Sequence, residues 1–361
     1  MTSSRRAEAI VIGGGIAALA TARALSRRGA RILLSAPELP GGATSAAGGI
    51  LAPTIEAAEG AVFEFGRASR DFYPEFADVL QSETGIDVEL RFDGVLRLAL
   101  TSEEATRLSK SVGPNARWMD DRAVAELEPA LAPCAGALIH EADGIVANEK
   151  VHAALRAAVR ASPLVHWSGQ RVIRVDAAQG SAVLANGESW SAQSLVLAAG
   201  AWAAGLPGLP RQLPIVPTRG QMITIRGVGL RRAVYGGGGY MVPRRDGRIL
   251  VGSTLEQVGF DHATTASAVE HFVRIATTLL ARDEPPEVVE QWAGLRPMTP
   301  DGFPIIGHEP LAPRLVYACG HSKNGILMGP LTGEVVADLV LGTSPAHNLA
   351  PFQPARFVGS E

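Results

Sequence analysis

A glycine-rich stretch near the N-terminus has the residue types and the spacing that bind a dinucleotide. Residues 13–18 read GGGIAA and place Gly13, Gly15 and Ala18 in the pattern GxGxx(G/A). The first glycine of this pattern allows a tight turn, the second lets the backbone approach a pyrophosphate, and the last small residue lets the next helix pack closely on its strand. The turn predicts nucleotide binding at a helix N-terminus. It does not separate FAD from NAD, and the alternative is a glycine-rich turn without a ligand.

The end of the second predicted strand lacks the acidic residue that usually binds a ribose hydroxyl in such a site. Ser35 stands at this position, and no arginine that would suit a 2′-phosphate replaces it. A hydroxyl accepts a hydrogen bond more weakly than a carboxylate does. We therefore expect Ser35 to make a weak contact with the ribose.

Composition and spacing exclude several other kinds of chemistry. Cys134 and Cys319 are isolated, which suits a reducing compartment and does not suit zinc ligands or a disulfide framework. The net charge is −3 and no Lys/Arg run exceeds two residues, so a nucleic-acid surface is not predicted. The sequence also has no run of about 20 apolar residues and no Ser/His/Asp or Cys/His constellation. We expect a cytoplasmic protein without a metal site, a nucleic-acid partner or a transmembrane segment.

Short buried strands and amphipathic helices surround the predicted nucleotide turn. Residues 7–12 and 30–34 read as strands, and the helix between them ends at Gly29. The other predicted elements are a loop at 36–49, helices at 58–83, 148–161 and 265–281, antiparallel strands within 88–100, 213–226 and 239–254, strands at 194–202 and 315–320, and a helix at 329–342 that Pro330 opens.

Antiparallel strand patterns interrupt the alternation of helices and buried strands twice. This predicts two interleaved domains. The fold class is α/β, with a Rossmann-like nucleotide-binding domain and an α+β substrate domain built on an antiparallel sheet. The expected nucleotide-binding domain covers residues 1–86, 145–212 and 310–361, and the expected substrate domain covers residues 87–144 and 213–309.

Five further stretches occur in a fixed order along the chain. They are ATSAAGGILAP (43–53), LVLAAGAW (195–202), YMVPRRDGRILVGST (240–254), WAGLRPMTPDGFPIIG (292–307) and GHSKNGILMGPLTG (320–333). With the N-terminal turn they make nearly the whole chain resemble the D-amino-acid oxidase family of flavoproteins, and within it the glycine oxidases of the thiamine pathway. The resemblance implies FAD, a substrate domain on an antiparallel sheet, and amine oxidation with O2 as acceptor.

The same resemblance assigns residues to the cofactor. Thr44 and Ser45 should lie near the pyrophosphate, and the backbone of Val172 should meet the adenine. Relatives that attach flavin covalently carry a cysteine shortly before TPD, and residues 292–298 contain none, so the FAD should be non-covalent. The expected cofactor-binding residues are Gly13, Gly15, Ala18, Ser35, Thr44, Ser45, Val172, Gly200, Asn324, Gly325, Ile326 and Leu327, of which Gly325 to Leu327 should face the flavin pyrimidine ring.

The resemblance also implies residues that touch the substrate. Arg296 matches an arginine that binds the substrate carboxylate, for which its planar fork is suited, and the alternative is a structural pair with Asp301. Tyr240 matches the tyrosine that lies beside this arginine in the family, and the alternative is a core aromatic. The four glycines at 236–239 predict open volume or a flexible lid. Ile50 should face the substrate pocket, or is ordinary core.

Lys323 departs from the family, whose glycine oxidases carry arginine at this position. The chain has thirty arginines and only three lysines, so composition alone would favour arginine here. We hypothesise that Lys323 is a second, weaker cation at the pocket mouth, which attracts anionic substrates and relaxes the size limit beyond glycine. A solvated surface lysine is the alternative.

These expectations combine into an FAD-dependent oxidase that converts glycine or another small amino acid, such as sarcosine or a small D-amino acid, to the imine and reduces O2 to hydrogen peroxide. The cofactor performs the redox chemistry, so no side-chain base is required if the amine arrives neutral, and His321 is expected to be structural. A role in thiamine biosynthesis follows from the resemblance alone. The alternatives are a dehydrogenase of the same family that passes electrons to a quinone or carrier, and a non-catalytic flavin-binding protein. A homo-oligomer is left open.

Overall fold

The elements of secondary structure follow the predicted alternation. The computed structural model describes residues 5–56, 59–113, 115–227, 229–282 and 284–357. The helices are α1 (Ile16–Arg27), α2 (Ala43–Ala46), α3 (Pro53–Glu56), α4 (Ala61–Thr84), α5 (Ser102–Ser109), α6 (Asp121–Leu127), α7 (Asn148–Ala161), α8 (Ala266–Leu279) and α9 (Gly325–Leu341), with 3-10 turns at Gly200–Gly205, Ala350–Phe352 and Pro354–Phe357. The strands are β1 (Arg5–Arg6), β2 (Ala9–Ile12), β3 (Ile32–Ser35), β4 (Ile50–Leu51), β5 (Val95–Ala99), β6 (Arg117–Met119), β7 (Gly136–His140), β8 (Gly144–Ile145), β9 (Val165–Ser168), β10 (Val172–Asp176), β11 (Ser181–Leu184), β12 (Ser189–Ser191), β13 (Ser194–Leu197), β14 (Val216–Arg226), β15 (Ala233–Gly236), β16 (Gly239–Pro243), β17 (Arg248–Gly252), β18 (Val288–Met298), β19 (Ile305–Glu309) and β20 (Ala312–Cys319).

A six-stranded sheet in the order β19-β20-β13-β2-β3-β9 forms the nucleotide-binding layer. Its central strands run parallel, and β2 and β3 are buried along their whole length, as apolar runs in a parallel sheet covered by helices must be. Helices α1 and α9 pack against each other at close range. A Cβ at Gly333 would lie 2.5 Å from the carbonyl carbon of Ala20, so glycine is what permits this approach.

An eight-stranded sheet in the order β18-β14-β17-β16-β15-β5-β7-β6 forms the second large layer. Its pairs are antiparallel except for β15 and β5, which run parallel. Helix α8 packs against it, with Phe272 and Ile275 buried in the core of this layer. Two smaller sheets, β1-β12-β11-β10 and β4-β8, complete the described part of the architecture.

The division into two domains stays a prediction, and the sheets correct one of its boundaries. Strand β19 pairs antiparallel with β20, so residues 305–309 belong to the nucleotide-binding sheet and not to the layer in which the prediction placed them. The apolar side chains of Ile305 and Ile306 are fully buried there. The chain therefore crosses between the two sheets after β18 ends at Met298 and before β19 begins at Ile305.

Two predicted loop features take a defined form in the structure. The glycines at 236–239 form a turn with open space beside Gly238, and their role as a flexible lid stays a prediction. They close a β-hairpin in which Gly236 pairs with Gly239, while Gly237 and Gly238 have φ values of +59° and +84°. Two consecutive positive φ values are typical of a type I′ hairpin turn. The predicted loop at 36–49 contains the one-turn helix α2.

Helix α9 begins at Gly325, and the prediction that Pro330 opens it is wrong. Its first intrahelical bond runs from Met328 N to Asn324 O (2.9 Å). Pro330 has no N–H to donate to Ile326 O. The hydroxyl of Tyr73, on α4, donates to this carbonyl instead (2.5 Å), and the helix can therefore contain proline one turn after its start.

Helix α4 begins at Ala61, and residue 58 of its predicted range lies outside the described residues. No helix in the described segments combines the length and the apolarity that crossing a membrane would require.

Candidate active site

A cavity of about 760 Å³ connects the phosphate turn with the ends of β16, β17 and β18. Residues from both large sheets line it, together with the loop that contains α2 and the loop before α9. The candidate site is therefore one continuous space with a nucleotide-binding end and an end formed by the antiparallel sheet.

The phosphate turn has the close contacts that its glycines predicted. Gly13 has a φ of +136°, and a Cβ there would lie 2.2 Å from Ala198 O, so no other residue fits. A Cβ at Gly15 would lie 3.1 Å from Thr44 Oγ1. This hydroxyl accepts a hydrogen bond from Ile16 N (3.1 Å), which places Thr44 at the N-terminus of α1, where a pyrophosphate is expected.

Ser35 lines the cavity at the end of β3, but its side chain already has a partner. It is fully buried, and its Oγ donates to Gln170 O (2.8 Å). A ribose contact would use the remaining lone pairs of this oxygen, and it stays a prediction. Glu38, three residues after Ser35, also lines the cavity and is not among the residues predicted from the sequence, because it lies beyond the end of the strand.

The other expected cofactor residues lie at the cavity with two exceptions. Ala18 is fully buried within α1, where close packing needs a small residue, and the side chain of Leu327 packs towards Gly66 on α4. The residues that line the cavity are Ser45, Val172, Gly200, Asn324, Gly325 and Ile326, in addition to Gly13, Gly15, Ser35 and Thr44. Their contacts with FAD stay predictions.

The N-terminus of α9 is directed at the cavity by the loop before it. Asn324 N donates to His321 O (2.9 Å), and the N–H groups of Gly325, Ile326 and Leu327 precede the first intrahelical bond. N–H groups in the first turn of a helix have no intrahelical acceptor, and they carry the positive end of the helix dipole. This terminus suits an electron-rich ring or an anion.

His321 is a structural residue in this geometry. Burial lowers its pKa to about 4, so the ring is neutral at physiological pH. Its Nε2 lies 3.0 Å from Thr332 Oγ1 on α9. It joins the loop before α9 to the second turn of that helix.

Arg296, on β18, projects into the cavity in a fixed orientation. Its Nη1 donates to Thr254 O (3.0 Å) and its Nη2 donates to Ser253 Oγ (2.6 Å). The guanidinium lies across the backbone of Gly220 on the neighbouring strand β14, where a Cβ would be 2.1 Å from Nη1. Ser253 and Gly220 are not among the residues predicted from the sequence, and the close approach becomes evident only where Gly220 lies opposite Gly294 in the strand pairing.

The charge of Arg296 has no carboxylate partner among the described residues. The predicted alternative, a pair with Asp301, is wrong because Asp301 Oδ2 binds Arg356 Nε (2.7 Å). Glu256, two residues after Thr254, binds Arg219 (2.8 Å). Because Arg296 donates only to neutral oxygens there, its positive charge is available to an anion in the cavity.

Tyr240 and Ile50 line the same end of the cavity. Tyr240 is half-buried, its Oη lies 3.7 Å from Met222 Sδ, and it pairs with Gly252, the residue before Ser253. Ile50, on β4, is also half-buried. Both residues pack partly against the apolar core as well as lining the cavity, and their contacts with a substrate stay predictions.

Lys323 lies at the cavity between His321 and α9. Its side chain is exposed and it is among the lining residues, as Arg296 is. This placement agrees with a position at the pocket mouth, and the role of Lys323 stays a prediction.

Comparison with known proteins identifies the family. The profile described as "FAD dependent oxidoreductase" (DAO) matches residues 8–339. The chain belongs to the FAD-dependent oxidoreductase family. A glycine oxidase of Geobacillus kaustophilus is 34% identical over 99% of this chain and 98% of its own length, and one of Pseudomonas putida is 35% identical over 98% and 99%. The crystal structure of glycine oxidase from G. kaustophilus has a TM-score of 0.91 at 33% identity and covers 99% of this chain and 100% of its own.

The cofactor of this family is FAD, and the residues of the cavity fit it. Two helix N-termini, those of α1 and α9, face the cavity, and at Gly13 the backbone comes so close to Ala198 that no side chain could intervene. This enzyme is an FAD-dependent oxidoreductase. The resemblance recognised in the sequence is thus confirmed, as is the α/β fold.

Proposed function

We propose that the protein oxidises glycine or another small amino acid, such as sarcosine or a small D-amino acid, to the imine with reduction of O2 to hydrogen peroxide. The amine loses two electrons and two protons in this reaction, and O2 gains both. When bound, FAD supplies the electron acceptor for the amine. The proposal is supported by the similarity to proteins named glycine oxidase and by the geometry of the cavity.

The observation that carries the proposal is that Arg296 has no carboxylate partner among the residues that the structure describes. A buried or half-buried arginine normally has an acidic partner, because an unpaired charge is costly to desolvate. Here the guanidinium donates to Thr254 O and Ser253 Oγ, while the carboxylates of Glu256 and Asp301 bind Arg219 and Arg356. A substrate carboxylate would complete the pairing with the geometry that arginine prefers.

We infer complementary roles for the residues beside Arg296. Tyr240 and Ile50 would limit the volume beside the α-carbon and exclude water, and the N-terminus of α9 would stabilise negative charge on the reduced cofactor. Lys323 would add a second cation at the mouth. We assign no side chain as base, since an amine that arrives neutral needs none.

Anaerobic mixing of the purified yellow protein with single amino acids tests the proposal. We expect glycine, sarcosine or a small D-amino acid to bleach the oxidised flavin absorbance, and readmitted O2 to restore it with one equivalent of hydrogen peroxide per imine. Failure of every amino acid to bleach the flavin would contradict the proposal and favour a non-catalytic flavoprotein. Bleaching that quinones reverse quickly and O2 reverses slowly would indicate a dehydrogenase.

The cellular setting is part of the same proposal. Cys134 and Cys319 are both unpaired, which supports a reducing, cytoplasmic environment. A role in thiamine synthesis is proposed on the resemblance alone. Size-exclusion chromatography would establish whether the protein forms a homo-oligomer.

A further inference from the structure

One face of α7 is directed at the nucleotide-binding end of the cavity. Asn148, His152 and Arg156 are four residues apart, so their side chains lie along the same side of the helix. His152 and Arg156 line the cavity. Helix α7 packs against α1, which follows the phosphate turn, and against α2, which contains Thr44.

Asn148 holds the segment that forms α2. It is buried, and its Nδ2 donates to Thr44 O (2.9 Å) and to Ser45 O (3.2 Å). Its Oδ1 accepts a hydrogen bond from Arg244 Nη2 (2.8 Å), and the same Nη2 also donates to Gly48 O (3.1 Å). Both the Nδ2 and the Oδ1 of Asn148 therefore have partners, and Nδ2 fixes two backbone carbonyls of the segment expected beside the pyrophosphate.

His152 holds the phosphate turn itself. Its Nε2 lies 2.9 Å from Gly14 O. A carbonyl oxygen can only accept, so Nε2 carries the proton and donates it. Burial lowers the pKa of His152 and so favours the neutral ring, while the contact with Gly14 O sets its tautomer. The contact joins residues that are 138 positions apart in the sequence.

Arg156 reaches the loop that follows β3. Its Nη2 binds Glu38 Oε1 (3.0 Å), and its guanidinium lies 5.3 Å from the ring centre of Trp167. Both Arg156 and Glu38 line the cavity. The exposed ion pair contributes little energy by itself. Arg156 differs from Arg160 in its position. Arg156 lies where the adenosine end of the cofactor is expected, whereas Arg160 stacks on the same tryptophan (4.6 Å) and does not line the cavity.

Ordinary packing does not require these three residues. The buried apolar side of α7, formed by Val151, Leu155 and Val159, already attaches the helix to the core. Asn148, His152 and Arg156 instead make polar contacts with three separate segments at 13–15, 36–39 and 43–46, each of which lines the cofactor end of the cavity.

We propose that Asn148, His152 and Arg156 are positioning residues for FAD, which hold the phosphate turn, the loop after β3 and the α2 segment in the arrangement that binds the cofactor. The inference rests on the FAD dependence of the family and is independent of the substrate. It predicts that single changes on this face of α7 weaken FAD binding while the fold is kept.

Release of FAD from diluted holoprotein, followed by the rise in flavin fluorescence, measures the dissociation constant of each variant. We expect His152→Leu to raise the Kd for FAD about five- to thirtyfold, because Gly14 O loses its donor. His152→Gln, which can still present an N–H at a similar distance, should stay within about threefold of the unchanged protein. We expect Arg156→Met to raise the Kd about three- to tenfold, while Arg160→Met, the matched control on the same helix and tryptophan, should not change it.

The outcomes separate this inference from a purely structural role and from the proposed function. Equal Kd values for Arg156→Met and Arg160→Met, or an unchanged Kd in His152→Leu, would overturn it. If His152→Leu does not fold, the two arginine variants and His152→Gln decide the question, with far-UV circular dichroism as the check on folding. Reduction by amino acids at saturating FAD is measured separately, so a protein that binds FAD as expected but is not reduced would contradict the proposed function alone.

Discussion

At the level of single residues, Arg296 is the side chain on which the proposed chemistry depends most. We expect Arg296→Leu to weaken binding of amino acids roughly 10- to 150-fold, because a charge-assisted hydrogen bond is worth about 1.5–3 kcal/mol. FAD binding should be retained. Steady-state KM values and flavin titrations measure the two effects. Arg356→Leu is the control. Arg356 binds Asp301 and does not line the cavity, so its loss should leave amino-acid binding unchanged. Normal saturation by glycine or sarcosine in FAD-loaded Arg296→Leu would remove this residue from the substrate site.

Lys323 gives a second prediction at the same scale. If it attracts anionic substrates from the pocket mouth, Lys323→Met should raise the apparent KM for amino acids and reduce its dependence on salt, since exposed charges are screened by ions. Lys323→Arg should keep activity on glycine and lose activity on bulkier substrates, because the guanidinium is wider. Kinetics at low and high salt measure both effects. Unchanged KM values for every substrate at low salt in Lys323→Met would show that the lysine is only part of the surface.

At the level of elements, the start of α9 depends on a bond from another helix. Tyr73→Phe leaves Ile326 O buried without its donor and should lower the free energy of unfolding by about 1–3 kcal/mol. Urea titration measures the change. A double-mutant cycle with Pro330→Ala makes the test specific, because alanine restores an N–H that can reach Ile326 O. The cost of Tyr73→Phe should then be smaller in the Pro330→Ala background. An equal cost in both backgrounds would argue against this explanation of the helix start.

At the level of the whole molecule, stability should fall as the pH is lowered from about 6.5 to about 4. Burial lowers the pKa of His321 to about 4, and burial together with Arg97 lowers that of His140 to about 4. In this window the unfolded chain binds protons that the folded chain does not bind, so the free energy of unfolding decreases by on the order of 1 kcal/mol per pH unit for each histidine. Above pH 6.5 this dependence should disappear.

Urea titrations of the apoprotein between pH 7 and pH 4.5 measure the effect. His321→Gln should reduce the slope of stability against pH, because it removes a histidine whose pKa is lowered by burial. Identical slopes for the unchanged protein and His321→Gln would contradict the assignment.

The attachment of the cofactor is also a property of the whole molecule. Acid precipitation should leave the yellow colour in the supernatant, because residues 292–298 contain no cysteine that could form a covalent bond. Cys319 does line the cavity, but burial raises its pKa to about 12, so the thiol stays protonated and a poor nucleophile. A yellow pellet would contradict the prediction, and Cys319→Ser would then show whether this residue forms the bond.

The sequence by itself determined the features that depend on residues close together in the chain. The phosphate turn at Gly13 and Gly15, the parallel strands beside it and the family motif around Arg296 could all be read from local spacing. Local spacing is informative there because a tight turn, a buried strand and a helix start are each specified by a few neighbouring residues.

Only the tertiary structure decided which distant residues meet. Nothing near Pro330 in the sequence indicates that Tyr73 would accommodate it inside α9, and nothing near His152 indicates a contact with Gly14. That Glu256 and Asp301 bind Arg219 and Arg356, and not Arg296, likewise follows from where these arginines lie in the fold. These contacts join residues brought together by packing, and a linear pattern does not record which side chains a folded core places within hydrogen-bonding distance.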